Sequence, residues 1–227
     1  MRGDSLHQFS QSFRSMENSL MKLFFLFILC SCGASASLHS IELSSSQKHD
    51  TVLVDRDGNR YPIKVLVDGK IWMTANLKLI APNSYCYNNN SPNCDQYGRL
   101  YSWESADQAC KILGEGWRLP GKNDWQELSN AYGGSLSDSM SNRKKAYESL
   151  MITGKSRFAA VLGGGRDLDG AFARLDAHGF YWMSSETDST AGFANFAKGS
   201  KALFLQNDGE KSRAFSVRCI KQLNNIP

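Results

Sequence analysis

Histidine is scarce in this chain, which carries four in 227 residues. Three of them, His7, His39 and His49, precede the main domain, so the domain itself has only His178. Metal sites usually recruit several histidines or cysteines, and a serine nucleophile needs a base. No GxSxG-type nucleophile motif occurs either. The sequence therefore predicts no catalytic residue, no metal site and no cofactor, and we interpret His178 as a turn or buried hydrogen-bonding histidine.

Strong charge of one sign and long apolar runs are also missing. The formal net charge is +4 and the basic residues are scattered, so no nucleic-acid partner is expected. The apolar run within residues 21–32, MKLFFLFILCSC, is too short to span a membrane but typical of a signal peptide. We predict a leader over residues 1–31 with the signal peptide at 21–31. Met21 is a natural start, which would make the upstream residues an over-called N-terminus.

The end of the apolar run, residues 29–32 (LCSC), resembles a bacterial lipobox. A leucine lies three residues before a cysteine and a small residue lies just before it. The resemblance implies cleavage before Cys32 and a lipid on its thiol, which would be the membrane anchor. The alternative is an ordinary secretory signal cut near Ala34 or Ala36. Residues 32–50 are Ser-rich and low in apolar residues, a composition that predicts a flexible tether.

The six cysteines indicate an oxidising compartment. Cys30 and Cys32 end the leader. The remaining cysteines are Cys86, Cys94, Cys110 and Cys219. An even set in an exported chain favours two disulfides, with three connectivities open. Residues 85–95, YCYNNNSPNCD, form a polar stretch without a core of its own, so a local bridge from Cys86 to Cys94 is the simplest account.

One domain is predicted over residues 51–222, followed by a tail at 223–227. Residues 51–77 alternate apolar and polar side chains, with Asp-Gly pairs between the runs, and this pattern predicts a β-meander with hairpin turns. Two DxDG strings, at 55–58 and 167–170, lack the spacing and downstream glutamate of an EF-hand loop. We interpret both as turns rather than as calcium sites.

Two short amphipathic helices follow the meander. The first has an apolar stripe at helical spacing and ends at Gly114. The second begins with Gly121 at the N-cap and Asp124 three residues on, and it ends at Gly133. The apolar stripe residues are Trp103, Ala106, Cys110 and Leu113 in the first helix, and Trp125, Leu128 and Tyr132 in the second. Residues 135–145 are interpreted as a loop and residues 146–151 as a helical turn. The tryptophans are interpreted as core residues.

Six short motifs in fixed order resemble a known family. The motifs are GKIWMTANL from Gly69, YGRLYSW from Tyr97, GWRLP from Gly116 with DW following, LGGGRD from Leu162, HGFYWMSSE from His178 and FSVRC from Phe215. Together they resemble the Fibrobacter succinogenes major paralogous domain (FISUMP) family over about residues 50–222. The family's helix entry places Ser or Thr and then Glu where this chain has Gly121 and Asp124.

The resemblance implies an α+β, C-type-lectin-like fold, related to that of formylglycine-generating enzymes. Two helices would pack on a twisted, mostly antiparallel sheet, and the N- and C-terminal strands would pair. In such folds a cysteine of the first helix bonds to one of the last strand. By similarity this implies a Cys110–Cys219 disulfide and leaves Cys86 to bond to Cys94. The family occurs mostly on exported bacterial proteins and lipoproteins, which implies a place in the cell envelope, at the outer membrane or the cell surface.

The function expected from these features is a non-catalytic binding or interaction module with an extracellular glycan or protein as its partner. Calcium-dependent lectins carry a Glu-Pro-Asn or Gln-Pro-Asp loop and a Trp-Asn-Asp strand. This chain has only Ala81-Pro82-Asn83 and Gln206-Asn207-Asp208, so calcium-mediated sugar binding is not expected. The alternatives are an enzyme like the formylglycine-generating enzymes, which rely on a reactive cysteine pair, or a purely structural envelope protein. An exposed aromatic cluster would favour a glycan, and a broad apolar patch a protein partner.

Overall fold

The strands of the domain form two main sheets and a two-stranded ribbon, with helices between and beside them. The computed structural model describes residues 51–134 and 139–223. The helices are α1 (Ser91–Tyr97), α2 (Trp103–Lys111), α3 (Lys122–Ala131) and α4 (Met140–Leu150). The strands are β1 (Thr51–Val54), β2 (Arg60–Val65), β3 (Lys70–Met73), β4 (Ser84–Tyr85), β5 (Leu100–Tyr101), β6 (Gly163–Arg166), β7 (Phe172–Leu175), β8 (His178–Glu186), β9 (Thr190–Ala197), β10 (Ala202–Glu210) and β11 (Ile220–Gln222). The leader, Cys32, the tether and residues 224–227 of the predicted tail lie outside the described residues.

The predicted meander is confirmed in the first sheet, whose strand order is β1-β2-β3-β11. Its first turn depends on Asp55, whose carboxylate accepts hydrogen bonds from the backbone N–H of Asp57 and Asn59, each at 2.9 Å, and from the Tyr61 hydroxyl at 2.6 Å. Burial acts to raise the pKa of Asp55, but these hydrogen bonds outweigh it and the pKa is lowered. The carboxylate is thus occupied by turn donors, as the turn interpretation predicted.

The predicted pairing of the N- and C-terminal strands is wrong. β11 pairs antiparallel with β3, with Ile220 opposite Trp72, whereas β1 pairs with β2. Tight turns place β1, β2 and β3 side by side in chain order, and β11 adds to the outer edge of β3 while the outer edge of β1 stays unpaired within the described residues. The first and last strands therefore share a sheet without touching.

The second sheet has the order β10-β9-β8-β6-β7 and is antiparallel except for the parallel pair β6 and β8. Phe180 of β8 lies opposite Asn195 of β9, which in turn lies opposite Phe204 of β10. Since side chains alternate along a strand, these residues share one face of the sheet. The opposite face carries Tyr181 and Phe196 into the core.

The prediction of two helices is wrong, since the described residues contain four. α2 and α3 are confirmed close to their expected bounds. The polar stretch at 85–95 was expected as a loop, but Pro92 lies in the first turn of α1, where its fixed φ favours a helix. α4 begins at Met140, inside the segment interpreted as loop. Its buried residues are only Ala146, Tyr147 and Leu150, too few for a clear apolar periodicity.

The core consists of two main hydrophobic clusters. The first lies against α2 and includes Trp182 and Phe215. The second lies against α3 and α4, where Trp125 and Phe158 meet edge to face with ring centroids 5.5 Å apart. No tryptophan is more than 8% exposed, so the core interpretation of the tryptophans is confirmed. Within the described residues, no helix has the length and apolar character needed to cross a membrane.

Arg218 is a charged side chain at the centre of the core, with 1% of its surface exposed. Its guanidinium donates hydrogen bonds to the carbonyl oxygens of Phe158 at 2.5 Å, Ala159 at 2.8 Å and Met73 at 3.2 Å. It also donates to Asn76 Oδ1 at 2.6 Å. Burial lowers the pKa of Arg218, and the guanidinium is held by dipoles rather than by a carboxylate. The side chain thus ties three separate chain segments together.

The structure joins Cys110 of α2 to Cys219, directly before β11, and Cys86 to Cys94 of α1. The two bridges differ in the loops they close, with sequence separations of 109 and 8 residues. The long one fastens the C-terminal segment to α2, and the short one fastens α1 to the preceding turn.

We predict that removing the long bridge is the more damaging change. In the chain-entropy model it contributes about 4 to 5 kcal/mol, and the short one about 2 to 3 kcal/mol. Cys110→Ala with Cys219→Ala should therefore lower the Tm more than Cys86→Ala with Cys94→Ala, as measured by thermal denaturation followed by circular dichroism. Peptide mapping without reduction checks the pairing, and a Cys86–Cys110 linkage would contradict it.

We also predict that Arg218→Met lowers the free energy of unfolding by about 3 kcal/mol or more, because it leaves several buried carbonyl oxygens without donors. Urea denaturation measures the change. Arg60→Met is the matched control, since Arg60 is exposed on β2 and should change stability by less than about 0.5 kcal/mol. Equal effects of the two substitutions would show that the Arg218 contacts do not stabilise the fold.

Candidate functional site

A cleft of about 350 Å³ opens on the second sheet, over the face that carries Phe180 and Asn195. Strands β6 to β10 and the segment 213–215 supply its walls. A cleft built on paired strands is held rigidly, and its side chains keep fixed spacings. We therefore take this cleft as the candidate functional site.

The floor of the cleft is a set of packed rings. Phe180 is half-buried and contacts Phe215 and Phe193, with centroid distances of 4.9 Å and 5.9 Å. Both partners are buried and belong to the first core cluster. His178 also stacks on Phe180, with ring centroids 5.3 Å apart and planes at 15°. Phe180 is thus anchored by the core and partly open to the cleft.

Gly165, the third glycine of the LGGGRD motif, makes room for this floor. A Cβ at Gly165 would lie 3.0 Å from Phe215 and 3.3 Å from Phe180. Any larger residue would push these rings apart, because real Cβ atoms rarely approach so closely. The motif thus serves the packing of the site as well as the turn that follows it.

Above the rings, three polar side chains form a hydrogen-bonded row across β8, β9 and β10. His178 Nδ1 lies 2.9 Å from Asn195 Oδ1, and Asn195 Nδ2 donates to Gln206 Oε1 at 2.7 Å. With Asn195 oriented in this way, His178 Nδ1 carries a proton and donates. In the neutral ring Nε2 is then an acceptor, while the amide of Gln206 keeps donors of its own. The row therefore offers an acceptor at its His178 end and donors at its Gln206 end.

Charged residues form the rim. Arg213 bridges two carboxylates: its Nη1 donates to Asp167 Oδ1 at 2.9 Å, and its Nε lies 2.6 Å from Glu210 Oε2. Asp208 and Arg174 line the cleft as well. Three carboxylates thus face two guanidinium groups, and the rim carries little net charge.

The residues singled out in the sequence are distributed unevenly around this site. His178 lies in the cleft, at the first position of β8 and half-buried, rather than in a turn. Gln206-Asn207-Asp208, compared above with lectin strands, contributes Gln206 and Asp208. Ala81-Pro82-Asn83 does not line the cleft. The backbone carbonyl oxygen of Asp167 accepts from the Gly170 N–H at 3.0 Å and closes a turn. In the two described ranges, no group of three or more His, Cys, Asp or Glu side chains is arranged to hold a metal ion.

Sequence reasoning missed Asn195 and Arg213, and it considered Gln206 only in the comparison with calcium-dependent lectins. One local signal was available, because Asn195 is the single amide in the apolar strand TAGFANFA. A lone polar residue in such a strand indicates a partner on a neighbouring strand. Naming that partner required the strand order and register, which the sequence did not provide.

One comparison with known proteins gives a match. The family model described as Fibrobacter succinogenes major domain matches residues 65–221. The matched range contains every motif quoted above, the cleft and both disulfides. No curated protein and no solved structure matches the chain.

Proposed function

Because the chain belongs to the Fibrobacter succinogenes major domain family, we propose that it is a non-catalytic binding module on a lipid-anchored protein of the cell envelope. The signal-peptide pattern and the lipobox-like residues ending at Cys32 support export and anchoring. The two disulfides fit an oxidising compartment outside the cytoplasm. Attached through the tether at 32–50, the domain would face ligands outside the membrane.

The fold we propose is the C-type-lectin-like one. Support comes from β1 and β11 sharing one sheet and from the bridge between α2 and the segment before β11. The cleft on the second sheet would be the binding site.

The ligand we propose is a glycan of low charge, and the polar row beside the partly open Phe180 ring carries this proposal. Sugar hydroxyls donate and accept hydrogen bonds, so they match a row that ends in an acceptor at His178 and donors at Gln206. A pyranose ring also presents C–H groups that pack on an aromatic face such as Phe180. Phe193 and Phe215 are buried, so the half-buried Phe180 supplies a single partly open ring rather than an exposed aromatic cluster.

The charges on the rim of the cleft further restrict the class of glycan that would bind. The carboxylates of the rim slightly outnumber its guanidinium groups, and Arg213 is already shared between Asp167 and Glu210. A sulfated or uronic acid-rich glycan would meet these carboxylates without a free cluster of cations. A neutral glycan avoids that repulsion and still finds acceptors along the rim.

The non-catalytic part of the proposal rests on the partners of His178 and of the cysteines. His178 Nδ1 is hydrogen-bonded to the Asn195 amide oxygen, so the ring lacks the carboxylate partner that orients a triad histidine. The four domain cysteines are paired, whereas formylglycine-generating chemistry requires reactive thiols. Both observations favour binding over turnover.

We predict that the full-length protein, purified in mild detergent, binds neutral glycans on an array and that Phe180→Ala and Asn195→Ala each weaken binding about tenfold or more. The first change removes the stacking surface and the second breaks the polar row. Isothermal titration calorimetry with the best array glycan measures the dissociation constants.

The control for this prediction is Phe204→Ala. Phe204 lies opposite Asn195 in the sheet register but does not line the cleft, so the variant should bind like the wild type. Glycan binding that is unaffected by Phe180→Ala would exclude the cleft as the site. Retention of a protein from the cell envelope, with no glycan bound, would favour a protein partner instead.

We predict that Cys32 carries the lipid anchor. Metabolic labelling with a tagged fatty acid should label the wild-type chain and the Cys30→Ser variant, but not Cys32→Ser, because a lipobox is modified at its last cysteine. Unlabelled wild type, or equal labelling of Cys32→Ser, would identify an ordinary secreted protein.

A further inference from the structure

We propose that the Cys86–Cys94 disulfide is a thiol-exchange site, which external thiols open while the Cys110–Cys219 disulfide stays closed. The exchange is a reversible reaction of the oxidised protein with a small-molecule or protein thiol. It is independent of glycan binding in the cleft, and it rests on the surroundings of the two bridges.

The bridges differ in access. Cys110 and Cys219 are both 0% exposed and belong to the first core cluster, so an attacking thiolate cannot reach their sulfur atoms in the folded protein. Cys86 is half-buried and Cys94 is 8% exposed. Exchange requires approach to one sulfur atom, and Cys86 is the more exposed of the two bonded residues.

A positive charge faces both sulfur atoms of the short bridge. Arg99 Nη1 lies 3.5 Å from Cys86 Sγ and 3.7 Å from Cys94 Sγ, within donor distance of each. The guanidinium is held in this position by Ser84, whose hydroxyl accepts from Nε at 3.0 Å and whose carbonyl oxygen accepts from Nη2 at 2.7 Å. A cation fixed beside a sulfur atom stabilises its thiolate form.

The surrounding charges leave this arrangement in place. Within residues 51–134 and 139–223, Arg99 forms no ion pair with a carboxylate. The nearest acidic residue in sequence is Asp95, whose side chain is 83% exposed and lies 4.0 Å from Lys78 Nζ. The Arg99 charge is therefore available to the sulfur atoms.

The exchange follows from this geometry. An incoming thiolate attacks Cys86 Sγ and forms a mixed disulfide, the Cys86–Cys94 bond breaks, and Cys94 leaves as a thiolate beside Arg99. A lower pKa of the leaving thiol speeds this step. A second external thiolate then attacks its counterpart in the mixed disulfide, which releases an oxidised external disulfide and leaves two reduced protein cysteines. Alternatively the Cys94 thiolate attacks Cys86 Sγ and closes the bridge again.

Contacts within the fold favour re-formation of the opened Cys86–Cys94 disulfide. The Asn93 side chain donates to the carbonyl oxygen of Tyr87 at 2.9 Å, so the loop between the cysteines has a hydrogen bond of its own. Tyr87 packs on Phe172 with ring centroids 5.3 Å apart. At the far end of α1, the Tyr97 hydroxyl donates to Asp176 at 2.9 Å. These contacts hold both ends of the opened loop near their bonded positions.

The experiment uses the full-length chain with Cys30→Ser and Cys32→Ser, so that the four disulfide-bonded cysteines of the domain are the only cysteines left. The oxidised protein is incubated with graded concentrations of reduced glutathione, alkylated with N-ethylmaleimide and mapped by mass spectrometry. We expect glutathione on Cys86 and alkylation of Cys94 at concentrations that leave Cys110 and Cys219 bonded. Glutathione on Cys94, or both bridges opening together, would overturn the proposal.

Substitution of Arg99 tests the electrostatic step. Arg99→Gln should slow exchange roughly three- to tenfold, while Arg99→Lys, which keeps the charge, should slow it less. Arg60→Gln removes an exposed charge on β2 and should exchange at the wild-type rate. A protected Cys110–Cys219 bridge in each variant shows that it is folded. Exchange in Arg99→Gln at the wild-type rate would show that Arg99 does not assist the reaction.

Discussion

The fold depends on a buried positive charge that has no carboxylate partner within the described residues. Arg218 is almost fully excluded from water, and an unsolvated guanidinium would cost many kcal/mol. Carbonyl dipoles and aromatic faces replace the water, with the Arg218 guanidinium 4.6 Å from the Phe158 ring centroid. Every segment that supplies an acceptor must therefore stay in place. The FSVRC motif ends with Arg218 and Cys219. The hydrogen bonds of Arg218 and the long disulfide of Cys219 therefore hold the same short segment before β11 in place.

The buried Arg218 guanidinium needs hydrogen-bond acceptors, and this need explains an otherwise unfavourable backbone conformation beside Phe158. Arg157 and Ala159 adopt φ values of 60° and 58°, in a region that side chains other than glycine rarely occupy. They flank Phe158, and the carbonyl oxygens of Phe158 and Ala159 both accept from Arg218. Charge-assisted hydrogen bonds are roughly twice as strong as neutral ones, so they offset the strain of about 1 to 3 kcal/mol per residue.

A second polar cluster fixes α3 by a different means. The Lys70 ammonium lies between Asp68, Asp124 and Glu127, and Asp124 also binds Arg118 through both carboxylate oxygens. Burial raises the pKa of Asp68. For Asp124, burial acts in the same direction, but hydrogen bonds from Arg118 and Gly121 outweigh it and the pKa is lowered. The Asp124 carboxylate thus accepts from the backbone N–H of the N-cap residue Gly121, which is the half of a capping box that glycine allows, and it joins the start of α3 to the first sheet.

The sequence was sufficient for features with a local cause. The hairpin turns of the meander, α2 with its stripe ending near Gly114, and the capping position of Gly121 all follow from neighbouring residues. Features decided by distant contacts were missed. α4 was expected only as a helical turn at 146–151, and the longer helix is stabilised by Ala146, Tyr147 and Leu150, which pack in the second cluster. β11 adds to β3 rather than to β1, a choice between two free edges that no local pattern specifies. The cleft is also decided by distant contacts, since its polar row joins three strands whose register no local pattern specifies.

The cleft and the proposed exchange site share β7, yet the packing separates them. Phe172 of β7 meets Tyr87 from the disulfide loop, while Ala173 and Arg174 of the same strand line the cleft. A Cβ at Gly164 would lie 2.9 Å from the Tyr87 ring and 2.5 Å from the Ala173 carbonyl oxygen, so Tyr87 sits directly against β6 and β7. Close packing on this side resists displacement, because moving Tyr87 would open a cavity beside Leu100 and Ala214. We therefore expect opening of the short bridge to leave the wall of the cleft in place.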